Sequence, residues 1–201
     1  MDLSQLTEED FKVYLIKKLN RIYSGWIDGD KNNITNKTAD LINEPLKFAI
    51  EIKDDKTYKH KFPPLTGEMI TSGLDLNNKS EQFKNHARDA NKKFKNYLNY
   101  KTILLIRTEL INIPLDVIGY IFSGMQRFIK PGNRLMEIGR KNKFLSKTNT
   151  TEIGCYLLFG NNNYFYIENP NASLHRIVYE NIVEKIFQEK LEKIRINYKV
   201  K

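Results

Sequence analysis

Asp40, Glu51 and Lys53 place two carboxylates and an amine in one short stretch, Thr38 to Lys53. From Leu46 the residues alternate. Leu46, Phe48, Ile50 and Ile52 fall on one face of an extended chain, and Lys47, Ala49, Glu51 and Lys53 fall on the other. Glu51 and Lys53 therefore share a face on a strand whose opposite face is apolar. Asp40 belongs to the preceding run, Thr38 to Ile42, and Asn43-Glu44-Pro45 reads as the turn between the two runs. A hairpin of these runs brings Asp40 alongside Glu51. Carboxylates brought together raise one another's pKa unless a cation lies between them. A hard divalent ion such as Mg2+ suits such an oxygen-rich pair.

Asp40 followed by Glu51-Ile52-Lys53 at the end of an apolar strand resembles the PD-(D/E)xK nuclease superfamily, whose fold is restriction-endonuclease-like. Ala39 stands where that pattern usually has proline. The resemblance covers residues 38–53 closely and the first half of the chain loosely. It implies that Asp40, Glu51 and the backbone carbonyl of Ile52 hold Mg2+, with Mn2+ able to substitute, and that Lys53 orients or activates the attacking water. It further implies an added Glu from the first helix, for which Glu8 is the candidate. A Gln or basic residue on the helix after the Glu-x-Lys strand is also implied, and Gln82 matches it. The activity implied is that of a metal-dependent DNA endonuclease of restriction type. A junction- or structure-specific nuclease, a repair nuclease, and a non-catalytic nucleic-acid-binding or assembly protein of the same fold are the alternatives.

The surrounding elements must position these groups. Residues 7–23 read as a helix with Thr7 as N-cap, Leu6 and Phe11 as a hydrophobic staple, and Phe11, Leu15, Leu19 and Ile22 as its apolar stripe. Ser24 to Asn36 reads as a turn-rich link with Trp26 in the core. Ser80 to Tyr97 is a second helix with Phe83, Ala87, Ala90, Phe94 and Tyr97 facing inward. Thr102 to Arg107 is a continuous apolar run expected as a central strand. Beyond it, the pattern predicts a helix over Leu115 to Phe128, a hairpin from Cys155–Phe159 and Tyr164–Ile167, a helix over Leu174 to Leu191, and a final strand over 194–200. The expected class is α/β: an αβββαβ core with a central mixed sheet flanked by helices, and an added C-terminal hairpin and helix. One domain is expected over residues 1–201, with its core at about 5–110 and an elaboration at about 111–201.

The chain of 201 residues carries a net charge of +9, which favours an anionic partner such as DNA. Candidate contacts to nucleic acid are Lys56, Lys59 and Lys61 in a loop that also holds Tyr58, His60 and Phe62, then Lys84 and Arg88 on the second helix, then Arg134, Arg140 and Lys141. The lone cysteine, Cys155, lies in an apolar run and reads as a buried thiol in a reducing setting. Residues 1–5 have neither the basic start nor the apolar core of a signal peptide, and no run is long enough to span a bilayer. A cytoplasmic protein without a membrane partner is expected. The chain length, near that of small homodimeric restriction enzymes, makes a homodimer one expected assembly.

Overall fold

The computed structural model describes residues 3–32, 38–55, 76–108, 122, 125–130, 134–139, 150–160 and 163–194. A short 3-10 turn at Leu3–Gln5 leads into α1 (Glu8–Ile22), whose Thr7 hydroxyl accepts the Asp10 N–H at 3.1 Å as the sequence predicts. Then come β1 (Trp26–Asp28), the single turn α2 (Gly29–Asn32), β2 (Leu41–Asn43), β3 (Phe48–Asp54), α3 (Leu76–Phe94) and β4 (Lys101–Arg107). Strands β5 (Met125–Lys130) and β6 (Arg134–Gly139) form a separate hairpin. β7 (Cys155–Gly160), β8 (Asn163–Glu168), α4 (Glu180–Phe187) and β9 (Glu192–Lys193) complete the described elements.

Seven strands make one mixed sheet in the order β1-β2-β3-β4-β7-β8-β9. β1, β2 and β3 are antiparallel neighbours, whereas β3, β4 and β7 run parallel. The α/β class and the central mixed sheet flanked by helices thus stand. β4 and β7 are buried along nearly their whole length, as parallel strands covered on both faces must be. Alternation along β3 and β4 sorts their side chains into two cores. Phe48, Ile50, Ile52, Ile103 and Leu105 pack with Phe11, Leu15 and Leu19 of α1 and with Val183, Ile186 and Phe187 of α4. Ala49, Leu104 and Ile106 pack with Phe83, Ala87, Ala90 and Phe94 of α3. Glu51 and Lys53 share the parity of Ala49, so they lie on the α3 side.

Several boundaries differ from the sequence expectation. Leu46 and Lys47 belong to the turn rather than to β3, with Lys47 in the left-handed region at φ 54° and Leu46 exposed. The link Ser24 to Asn36 contains β1 and α2, and Trp26 is buried as expected. Met125–Phe128 lie in β5, which pairs antiparallel with β6, not at the end of a helix; apart from Phe122, the rest of the helix expected over Leu115 to Phe128 lies outside the described residues. The helix expected from Leu174 begins only at Glu180, and Leu174 itself is exposed. A short strand, Glu192–Lys193, precedes the strand expected over 194–200, of which all but Ile194 lies outside the described residues. No described helix is long and apolar enough to cross a membrane.

Candidate active site

Asp40 stands one residue before β2, and the β2–β3 register pairs Leu41 with Ile50. Continuing that register by one position sets Asp40 beside Glu51. The Asp40 side chain takes over the ladder where β2 begins: its Oδ2 accepts the Ile52 N–H at 2.6 Å. Both sides of this segment are fixed. The Gly29 N–H donates to the Asp40 carbonyl at 3.0 Å, and the Ala39 N–H donates to the Tyr97 hydroxyl at 3.0 Å. Gly29 is required by this close approach, since a Cβ there would fall 2.0 Å from the Ala39 carbonyl oxygen. Thr38 is tied in turn to Asp30, whose carboxylate shares the buried Lys12 ammonium with Glu9 and Asp28. Burial opposes that ammonium, but the three carboxylates outweigh it and hold Lys12 charged above its ordinary range.

Glu51 is fully buried, and it meets two ammonium groups. Lys53 Nζ lies 2.7 Å from Glu51 Oε1, and Lys93 Nζ lies 2.8 Å from the same atom and 3.0 Å from Oε2. Lys93 Nζ is also 4.0 Å from Asp40 Oδ1. Glu51 Oε1 thus lies within ion-pair distance of both ammoniums. Burial is the main cause that raises the Glu51 carboxyl to about 7, with Asp40 adding to it and the two lysines opposing. Burial likewise raises Asp40, against the Ile52 N–H and the nearby lysines. Lys53 is held protonated above its ordinary range: burial opposes the charge, but Glu51, Asp40 and Glu8 outweigh it.

Thus the structure brings together Asp40, Glu51, Ile52 and Lys53, and it sets Glu8 within electrostatic reach of Lys53. Arg107 explains the position of Glu8. From the end of β4 its guanidinium donates to the carbonyls of Leu6 at 2.6 Å and Thr7 at 3.0 Å, which anchors the start of α1 at this end of the sheet. Gln82 is half-buried on α3 with its Oε1 unpartnered, but about 16 Å of helix rise separates it from Lys93. It therefore does not take the place at Glu51 that Lys93 occupies. Lys93 is the residue the sequence reading missed. Its signal was its place on the border of the α3 apolar stripe, three residues after Ala90 and four before Tyr97.

The acceptor oxygens of Asp40 and Glu51 fit a hard divalent cation, which Mg2+ sites typically bind through one or two carboxylates, with water and phosphate oxygens completing the set. Among the described residues no group of three or more acidic, His or Cys side chains gathers to do the same without such help. Of the proposed nucleic-acid contacts, Lys84 pairs with Glu81 at 2.6 Å and the exposed Arg88 donates to Asn85 at 3.2 Å. Arg134 starts β6, whereas Lys56, Lys59, Lys61, Arg140 and Lys141 lie outside the described residues, as does His60. Cys155 is buried, and its thiol is pushed well above the usual range by burial, as suits a packed side chain rather than a nucleophile. Comparison with protein-family models, curated proteins and solved structures gives no match.

Proposed function

We propose that the chain is a Mg2+-dependent nuclease with a restriction-endonuclease-like core, cutting phosphodiester bonds within DNA. The observation that carries this reading is the meeting of Asp40, just before β2, with Glu51 of the neighbouring β3, the Lys53 ammonium lying 2.7 Å from Glu51. Two buried carboxylates and two amines are costly to bring together in a structural core, which an apolar set would fill at no such penalty. The succession α1, three antiparallel strands, α3 and then β4 parallel to β3 supports the core assignment. The net charge of +9 supports a polyanionic substrate.

Asp40 and Glu51 would hold the cation, with the Ile52 carbonyl as a further ligand. A divalent ion there would lower the pKa of a bound water and polarise the scissile phosphate. This chain's own groups do the rest. The Ile52 N–H fixes the Asp40 carboxylate so that Oδ1 is left to bind. Glu51 keeps Lys53 protonated, and Lys53 in turn offsets the negative charge that grows on the phosphoryl oxygens as the 3′ oxygen leaves. Basic side chains seat the backbone.

A second reading, a non-catalytic nucleic-acid-binding or assembly protein, is favoured by one feature: two ammoniums already neutralise Glu51. Incubation of supercoiled, linear, branched and single-stranded DNA with Mg2+ or Mn2+ separates the two. Cleavage that disappears in chelator and falls at least about a hundredfold in Lys53→Met supports the nuclease. Binding by the wild type without cleavage of any substrate supports the second reading.

A further inference from the structure

Lys93 has no task in the reaction as written, yet it contacts Glu51 and lies within ion-pair reach of Asp40. Its Nζ is 2.8 Å and 3.0 Å from the two Glu51 oxygens and 4.0 Å from Asp40 Oδ1. A cation shared by Asp40 and Glu51 must lie between them, and the Lys93 ammonium is within 4.0 Å of an oxygen of each. Lys53 is placed differently, since its ion pair is with Glu51 Oε1. The site therefore balances two carboxylates against two ammoniums before any metal enters. Lys93 also differs from Lys53 in its mount. It comes from α3, whose last residue, Phe94, and the loop that follows, at Tyr97 and Tyr100, are gripped by Arg176 through their carbonyls. Its long stem gives the ammonium room to move while the helix stays fixed.

We infer that Lys93 is a positioning residue of this site: a resident counter-cation that holds Asp40 and Glu51 together in the metal-free protein and sets the affinity for a divalent ion, which must displace it. This rests on the nuclease reading above. Without Lys93 the two carboxylates face each other with one ammonium fewer, so the metal-free fold is strained and a divalent ion is held more tightly.

Calorimetric titration with MnCl2, paired with thermal melts in chelator, tests it. Lys93→Met binds Mn2+ at least about tenfold more tightly than the wild type, melts lower in chelator, and recovers in Mn2+. Lys93→Arg, which keeps the charge, stays near wild-type affinity. Lys93→Gln gives the same readout should the Met variant fail to fold. Wild-type or weaker Mn2+ affinity in a folded Lys93→Met or Lys93→Gln variant overturns this inference and leaves the nuclease reading standing. No Mn2+ binding by any form, or wild-type binding that persists in Asp40→Asn, overturns both.

Discussion

At the residue scale the chemistry turns on how Glu51 and Asp40 share charge in a buried place. Both carboxyls are raised, Glu51 to about 7, so each is harder to ionise in the fold than in the unfolded chain. The sign follows directly. A carboxyl whose folded pKa lies above its unfolded value stabilises the fold at low pH, and that contribution is lost as pH rises through the folded value. For Glu51 the window runs from about 4.5 to about 7. The loss amounts to a few kcal/mol at most, on the order of 3, and the charged lysines soften it. Chemical denaturation of metal-free protein across this window should show stability falling with pH, and Glu51→Gln should flatten that slope. A slope unchanged by the substitution would mean that Glu51 is ionised throughout. Asp40, Glu51 and Lys53 were legible in the sequence because strand alternation alone sets which of them share a face. Lys93 was not, because its partners come from a strand distant in the chain, and helix periodicity separates only inward from outward positions.

At the element scale, α3 and the Asp40 segment need fixed backbones for those few ångströms to hold. Arg176 supplies one anchor. It is fully buried, and its guanidinium binds the Phe94 carbonyl at the end of α3, the Tyr97 and Tyr100 carbonyls of the loop to β4, and the Glu152 carboxylate at 2.8 Å. Arg176→Met leaves those acceptors unpaired and should cost about 3–5 kcal/mol. A drop in melting temperature should follow, because Arg176 ties the last residue of α3 to the loop that leads into β4. A neutral effect would show that the C-terminal end of α3 is held by packing alone. The same residue explains why the helix expected from Leu174 fails. Leu174, Val178, Ile182 and Ile186 recur at helical spacing, but residues 174–176 form a turn that carries Arg176 inward, with Arg176 N–H bonded to the Ser173 carbonyl. A local pattern carries no record of a capping site far along the chain. By contrast α1 and β4 were readable, since a side-chain cap and a continuous apolar run are local signals.

Across the whole molecule, one sheet joins the site-bearing strands β1–β4 to the C-terminal hairpin β7–β8, which extends the sheet through β4. The C-terminal half thereby supports the strand that anchors α1 through Arg107. The hairpin β7–β8 was evident from two apolar runs around Gly160-Asn161-Asn162-Asn163. Its parallel pairing with β4 was not, because nonlocal register leaves no trace in a single sequence. The net charge of +9 acts at this scale too. Affinity for a DNA duplex should fall steeply and linearly on a log–log plot against salt, with a slope set by the phosphates neutralised. Fluorescence anisotropy at several salt concentrations measures it, and salt-independent binding would count against a backbone-seating surface.

The most direct test of the central claim is the position of a bound Mn2+ ion in crystals, read from its anomalous scattering. The account predicts a peak between Asp40 and Glu51, within coordination distance of a carboxylate oxygen of each, and its loss in Asp40→Asn. A peak elsewhere, or none there at saturating Mn2+ with the wild-type protein, would contradict it.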